Sequence, residues 1–244
     1  MKEFSQSLLR LVTVAAALLL GATHQLAAQD HFKDCADLSG NPAIEACTKG
    51  INSGSYQEER LALLYYNRAF ELDNQGDIKN AHEDLTQAIR INPKYANAYH
   101  NRALLREKLN DRGGAISDYS QSISLQRSAK SYANRGVLLA RNKDYGKAIA
   151  DYNEAIKLDP QYALAFYNRA IAYEAENKPD LAINDYNDAI RFNPKYVQAL
   201  NNRGRIYKAR GDRERAIADF RRALDIDPGF ALARKNLEEI GEKR

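Results

Sequence analysis

Small, large apolar and polar residues recur in a fixed order through most of the chain. Asn-Arg followed by Ala or Gly appears five times, at intervals of 34, 33, 34 and 34 residues. In the first occurrence, Asn67-Arg68-Ala69 is followed by Ala81, by Leu85 four residues later, and by Ala88 three residues after that. Positions three and four residues apart share one face of an α-helix. Several such positions in phase over this distance predict a repeated pair of helices that stacks into a solenoid.

Turn-forming residues locate the two helices inside each repeat. In the first repeat we predict a helix from Ala62 to Leu72, a turn at Asn74-Gln75-Gly76-Asp77, and a second helix that ends near Ile91. Proline cannot continue a helix, and it follows the second helix in four of the five repeats. Those four residues are Pro93, Pro160, Pro194 and Pro228. In the fourth repeat Pro179 stands where the second helix begins, a position that tolerates it.

The periodicity divides the chain into a leader, a cap, five repeats and a final helix. We assign 1–28 to a signal peptide, 29–61 to a divergent N-terminal helical hairpin that caps the solenoid, and 229–244 to a C-terminal capping helix. Caps are needed because a terminal repeat leaves one apolar face open. The repeats fill 62–228, with individual bounds of 62–95, 96–128, 129–162, 163–196 and 197–230.

These sets of equivalent positions, here called columns, resemble those of the tetratricopeptide repeat (TPR) family. The large residue near the start of each TPR unit is represented here by Tyr65, Tyr99, Tyr132, Phe166 and Leu200. The resemblance implies an all-α fold, a right-handed TPR superhelix (α-solenoid) of antiparallel helix pairs. The chain departs from the family in one column, because Arg replaces the family's usual Leu in all five repeats.

The first 28 residues have the organisation of a secretory signal peptide. Lys2 and Arg10 carry positive charge, Leu11–Ala22 is an uncharged apolar stretch, and small residues precede a predicted cleavage site after Ala28. The apolar stretch is shorter than the roughly 20 residues that span a bilayer; an uncleaved membrane anchor is the alternative. We therefore predict a protein exported to the periplasm or secreted, and the arrangement resembles that of exported TPR proteins of alphaproteobacteria.

The two cysteines suit an oxidising compartment. Cys35 and Cys47 flank a turn at Ser39-Gly40-Asn41-Pro42, so their side chains can face each other in a helical hairpin. We predict a disulfide between them, since export allows it, and two buried reduced thiols are the alternative. Two cysteines without a neighbouring pair of histidines are too few ligands for a metal, and we predict no metal site.

Two charged columns run in parallel through the repeats. The basic column is Arg68, Arg102, Arg135, Arg169 and Arg203, and the acidic column, sixteen residues later in each case, is Asp84, Asp118, Asp151, Asp185 and Asp219. An unpaired buried charge is strongly unfavourable, so a charge at a packing position needs a partner. We predict a structural ladder of Arg–Asp ion pairs, within one repeat or between neighbours. A clamp for an acidic ligand is the alternative.

An asparagine column directly precedes the arginines: Asn67, Asn101, Asn134, Asn168 and Asn202. In the TPR family the first helices line the concave surface, and the repeats of O-linked N-acetylglucosamine transferase carry a similar Asn ladder that holds an extended peptide. The resemblance therefore implies a peptide-binding groove along this column. Neighbouring groove positions are Tyr66, His100, Tyr167, Asn201 and Arg205. The alternative is a column of asparagines that binds no ligand.

Composition and motifs argue against catalysis and nucleic-acid binding. The net charge is only +4, whereas nucleic-acid-binding domains are usually more basic. No phosphate-binding loop, nucleophile elbow or zinc-binding helix motif is present, so we expect no enzymatic activity and no cofactor. The leading hypothesis is a monomeric module that binds a peptide segment of a partner protein and contacts a membrane only if its leader stays uncleaved. The alternatives are a self-associating structural solenoid, and binding of an anionic surface or acidic ligand through the basic last repeat.

Overall fold

Helices and short turns account for residues 31–241, which are the part of the chain that this computed structural model describes. The predicted signal peptide, 1–28, lies outside the described residues, as do 242–244 of the predicted C-terminal cap. The chain divides into two compact units, Met1–Leu125 and Gln126–Arg244, here called the N-terminal and C-terminal units. In their described parts both units are α-helical and contain no strand, as predicted.

The helices follow one another in pairs. In the N-terminal unit, α1 occupies 31–37 and is followed by α2 (Asn41–Asn52), α3 (Glu58–Asn74), α4 (Ile78–Ile91), α5 (Ala96–Lys108) and α6 (Arg112–Leu125). The C-terminal unit contains α7 (Ala129–Arg141), α8 (Tyr145–Leu158), α9 (Ala163–Ala175), α10 (Pro179–Phe192), α11 (Val197–Ala209), α12 (Arg213–Ile226) and α13 (Ala231–Glu239). From α3 to α12, three residues join the two helices of each repeat, which makes them antiparallel neighbours.

Each of these short turns uses one residue with positive φ. The five residues occupy the same position in the five repeats, and they are Gly76, Asn110, Lys143, Asn177 and Gly211. Glycine adopts this backbone conformation without strain and asparagine tolerates it, whereas lysine does so at a cost. The next residue in three of the repeats, Asp77, Asp111 or Asp212, accepts a hydrogen bond from a backbone N–H of the first turn of the second helix.

Small residues in the first helix allow the large residue of the second helix to pack closely against it. A Cβ atom added to Gly136 would lie 2.7 Å from the ring of Tyr152, and one added to Gly204 would lie 2.7 Å from the ring of Phe220. Both rings are almost fully buried, with 1% and 0% of their surface exposed. The small and large columns seen in the sequence are therefore the two sides of one helix contact.

A disulfide fixes the N-terminal cap. The sulfur atoms of Cys35 in α1 and Cys47 in α2 are 2.06 Å apart, with 4.7 Å between the Cα atoms, so the predicted bond is present. Cys47 is fully buried and belongs to one apolar cluster with Tyr56 and Leu64. A Cβ atom on Gly50 would meet the Leu64 side chain at 3.0 Å. Helix α2 therefore packs on α3 through the same small and large positions that a repeat uses.

Two predicted helix bounds differ from the structure. Helix α3 begins at Glu58 rather than Ala62, so its first turn lies in the segment assigned to the cap. Its two leading acidic residues, Glu58 and Glu59, favour a helix N-terminus. Helix α13 ends at Glu239, within the segment 229–244 assigned to the capping helix, and Gly241, with φ of 81°, follows in the turn. Between residues 31 and 241, no helix has the length and apolar character needed to cross a membrane.

Candidate functional site

Every arginine of the basic column binds the aspartate of its own repeat. In each repeat Nε and Nη2 of the arginine donate to the two carboxylate oxygens, over distances of 2.6–2.9 Å. The aspartates are buried, with 3–5% of their surface exposed. Two parallel hydrogen bonds between a guanidinium and a carboxylate form the strongest type of side-chain ion pair. Pairing within one repeat, which the sequence left open, is thus the observed arrangement.

The remaining nitrogen of the guanidinium reaches the preceding repeat or cap. Nη1 of Arg68 donates to Thr48 over 3.0 Å and that of Arg102 to Thr86 over 3.3 Å. In the C-terminal unit, Nη1 of Arg169 donates to Asn153 and that of Arg203 donates to Asn187, each over 2.6 Å. Each of these arginines therefore connects the two helices of its own repeat to the second helix that comes before them.

This arrangement keeps the arginines charged and occupied. The hydrogen bond to Asp84 raises the pKa of Arg68, and the bond to Asp151 raises that of Arg135. Burial lowers both pKa values, but its effect is smaller. A cleft of about 550 Å³ opens beside Arg68 and Asp84. Three nitrogens of Arg68 already donate within the protein, so the geometry favours a structural ladder over a clamp for an acidic ligand.

The asparagine column lies on the first helices α3, α5, α7, α9 and α11. We call the surface that these helices form in each unit its first-helix face. Asn101 donates to the hydroxyl of Tyr66 over 3.0 Å, so the side chain at this position of α5 contacts α3. Burial raises the pKa of Tyr66, and this hydrogen bond opposes the rise. The amides of Asn67 and Asn168 are half-buried and form no hydrogen bond to any other described residue.

Asn202, in contrast, is part of a closed hydrogen-bond network. Its amide nitrogen donates to the hydroxyls of Tyr186, over 3.2 Å, and Tyr167, over 3.4 Å. Its carbonyl oxygen accepts from Asn201 over 3.3 Å. Tyr186 in turn donates to Glu174. Since both its donor and its acceptor are used, Asn202 differs from Asn67 and Asn168.

The other predicted groove residues differ in how far their side chains are engaged by neighbouring residues. Tyr66 and Tyr167 accept hydrogen bonds from the asparagine one repeat later. The His100 ring packs against the Tyr119 ring, with 5.4 Å between centroids. Asn201 is buried, and its carbonyl oxygen accepts from Asn236 over 3.0 Å. Arg205 has 52% of its side chain exposed and lies 4.0 Å from Glu174, which is a loose ion pair.

Five basic residues of the last repeat have acidic partners. Besides Arg203 and Arg205, ion pairs are formed by Lys208 with Glu239, Arg210 with Asp180, and Arg215 with Asp212. These contacts neutralise much of the positive charge that the sequence concentrates there. They give little support to binding of an anionic surface through this repeat.

One feature of the first-helix face is absent from the sequence-based set of groove residues. Phe70 and Ile171 occupy the same position in α3 and α9 and are large apolar residues with 53% and 38% of their surface exposed. They lie one turn after Asn67 and Asn168, where helical spacing places them on the same side as the amides. The sequence already indicated this feature, because apolar residues occupy this position in several repeats.

Comparisons with known proteins agree with this architecture. Family models described as tetratricopeptide repeats match residues 62–95, 96–128, 129–162 and 167–229. The first three ranges have the same bounds as repeats predicted from the periodicity. A comparison with curated proteins gives no match.

Several solved structures share the fold at low sequence identity. YrrB, described as a TPR protein with an unusual peptide-binding site, is 20% identical, with 80% of this chain and 100% of that one covered and a TM-score of 0.67. MamA is 22% identical, covering 67% and 96% of the two chains with a TM-score of 0.62. For PilF of Pseudomonas aeruginosa the identity is 18%, the coverages are 74% and 82%, and the TM-score is 0.67. Because the family models together match most of its length, the chain belongs to the tetratricopeptide-repeat family.

Proposed function

We propose that this protein is a non-catalytic binding module that holds an extended peptide segment of a partner protein on the first-helix face of a unit. The observation that carries the proposal is the state of Asn67 and Asn168, which are half-buried and form no hydrogen bond with other described residues. Neither amide is among the water-inaccessible unpaired atoms of the described residues, so both stay open to a ligand. A side-chain amide offers a donor and an acceptor, which match the C=O and N–H of a peptide unit whatever its side chain.

The asparagines of the column have different roles in this proposal. Asn67 and Asn168 have donor and acceptor free for a ligand. Asn101 uses its nitrogen on Tyr66, which leaves its carbonyl oxygen to accept a peptide N–H. Asn202 instead donates to Tyr186 in α10 and to Tyr167 in α9. YrrB, with the same fold, supports the assignment in so far as it is described as having a peptide-binding site.

We also propose that the protein acts after export, in the periplasm or outside the cell. Support comes from the signal-peptide organisation of residues 1–28 and from the Cys35–Cys47 disulfide, a bond that persists in oxidising compartments. Intact-mass measurement of protein taken from the periplasm, with and without reductant, tests both. The expected mass is that of a chain beginning near Gln29 with two fewer hydrogens than the reduced form. Free thiols in the freshly isolated protein would contradict the proposal.

Peptide binding is tested with a phage-displayed library of short random peptides selected on the immobilised mature protein. A selected peptide, labelled with fluorescein, is then titrated by anisotropy against Asn67→Ala, Asn168→Ala and the double variant. Each lost amide contact is worth on the order of 1 kcal/mol, so each variant that touches the peptide should weaken binding about fivefold. Asn184→Ala, at an exposed position of the second helix α10, is the matched control and should bind like the parent. Unchanged affinity in the folded double variant would refute the role of the asparagines.

A further inference from the structure

The first repeat lacks the aromatic ring that the others place between their helices. The large residue of the second helix is Tyr119, Tyr152, Tyr186 or Phe220 in repeats two to five, each at most 1% exposed. In the first repeat it is Leu85. Where the residue is tyrosine, its hydroxyl can extend to the first helix. That of Tyr119 donates to Glu107 over 2.7 Å, and that of Tyr186 donates to Glu174.

A pocket is found on the first-helix face of the N-terminal unit where such a ring would lie. Its volume is about 100 Å³, and Leu85 lines it together with Ala69 and Leu105. These three residues are buried, whereas Phe70 and Leu104, which also line the pocket, reach the surface, and Phe70 is 53% exposed. The pocket is thus apolar in its depth, and an aromatic ring stands at its entrance.

Two polar residues complete the lining. Asp73 occupies the position in α3 that Glu107 occupies in α5, so its carboxylate stands where a tyrosine hydroxyl would end. Its charge is already neutralised by Lys108, 2.5 Å away in α5. Asn101 donates to Tyr66 and has its carbonyl oxygen free. No uncompensated charge therefore faces the pocket, which suits a neutral occupant.

We propose that this pocket receives one branched aliphatic side chain, Leu, Ile or Val, of the bound peptide segment. The inference rests on the proposed function, because Asn101 at the rim and Asn67, one turn before Phe70, are the groups that hold the peptide backbone. Size sets the class of occupant, since apolar cavities that hold benzene measure about 150 Å³. A pocket of about 100 Å³ matches one branched aliphatic side chain and is smaller than those cavities. Leu85 is the residue that determines this specificity.

Leu85→Tyr is the decisive variant because it fills the pocket with the ring that the other repeats carry. It is expected to fold, because the second and fourth repeats already pack a tyrosine against an alanine at these two positions. Those pairs are Ala103 with Tyr119 and Ala170 with Tyr186, and the variant would pair Ala69 with a tyrosine in the same way. Circular dichroism and a thermal melt check this. The parent protein and the variant are each used to select peptides from the phage-displayed random library. We expect one strongly aliphatic position in the parent pool and no such preference in the variant pool.

Affinities of the parent-selected peptide make the test quantitative. Replacing its aliphatic residue by Ala should weaken binding to the parent protein roughly ten- to hundredfold, the effect of one fully buried Leu side chain. Replacement by Phe should also weaken it. Against Leu85→Tyr the three peptides should bind alike. Phe70→Ala, a change at an exposed residue that does not endanger folding, should reduce the loss of affinity that follows when the aliphatic residue of the peptide is replaced by Ala, here called the Leu-to-Ala difference.

The possible outcomes separate this inference from the proposed function. If both pools prefer the same aliphatic position while Asn67→Ala weakens binding, peptide binding stands and the role of the pocket is refuted. The same conclusion follows if Phe70→Ala and Leu85→Tyr leave the Leu-to-Ala difference unchanged. If neither protein selects any peptide, the proposed function fails and the inference fails with it.

Discussion

Removing one aspartate from the Arg–Asp ladder should destabilise the protein more than removing the aspartate together with its arginine. The fourth repeat is suited to the test because all contacts of its pair lie within the C-terminal unit. Arg169 donates to both carboxylate oxygens of Asp185 over 2.7 Å and to Asn153 over 2.6 Å. Only 17% of the Arg169 side chain and 6% of the Asp185 side chain are exposed.

The size of the effect follows from these contacts. Breaking a buried ion pair by removing one partner costs about 3–5 kcal/mol, because the other charge stays buried. Arg169 keeps its bond to Asn153 and some access to water, so we expect Asp185→Ala to cost about 3 kcal/mol. For a chain of this size that lowers Tm by roughly 6–12 °C. The double variant Arg169→Leu/Asp185→Ala leaves neither charge, and Leu is the residue usual in the TPR family. It should cost only about 1 kcal/mol.

Urea unfolding of the parent, both single variants and the double variant gives the coupling energy of the pair. Arg169→Leu alone should also cost about 3 kcal/mol, because it leaves Asp185 buried without its partner. The coupling should then be about 5 kcal/mol, which is larger than for most residues in direct contact. Asp188→Ala, three residues further along α10, removes an ion pair with the exposed Arg191 and should change stability by less than about 0.5 kcal/mol. If the two single effects add to within about 0.5 kcal/mol, the pair contributes nothing beyond its separate residues and the reasoning is wrong.

Three further changes test the packing, the turns and the cap, each by thermal or urea unfolding. Gly136→Ala should cost about 1–3 kcal/mol, since its Cβ would approach the Tyr152 ring to 2.7 Å, and an unchanged Tm would show that the ring moves aside freely. Lys143→Gly should stabilise the protein by up to about 1 kcal/mol, because glycine adopts the positive φ of 64° without strain. The same change at Lys147, inside α8, should destabilise it. Two changes in stability of the same sign would contradict the argument. Cys47→Ser, which removes the disulfide, should cost about 3 kcal/mol more under oxidising conditions than when both proteins are reduced, and an equal cost in the two conditions would contradict a stabilising disulfide.

The helical repeat could be predicted from the sequence because its determinants are local and occur five times. Small residues such as Gly136 alternate with large ones such as Tyr152 at fixed helical spacing, and turn residues such as Gly76 separate the helices. The ends were harder to place, because no repetition helps there. The first turn of α3 precedes the periodic positions, and only the structure shows that it starts at Glu58.

The site could be predicted less completely, since it depends on which side chains meet between helices. The Arg and Asp columns were evident, but the sequence left their pairing open, because both columns have the same period. The third donor of Arg169 to Asn153 was not foreseen. Equal spacing also suggested five equivalent asparagines, whereas Asn202 is held by tyrosines that the other repeats do not all have. Leu85, in a column of aromatic residues, was visible in the sequence, but its consequence required the pocket to be seen.

The three-way contacts of Arg169 and Arg203 make their repeats interchangeable modules. Arg169 finds its carboxylate inside its own repeat and its third acceptor, Asn153, at a fixed position of the repeat before it. Asn187, at the equivalent position of the fourth repeat, serves Arg203 in the same way. A second copy of 163–196 inserted directly after the first would bring its own carboxylate, find Asn187 ahead of it and offer another such asparagine to the next repeat. The chain can therefore be lengthened by duplication of one repeat without leaving a single guanidinium unsatisfied.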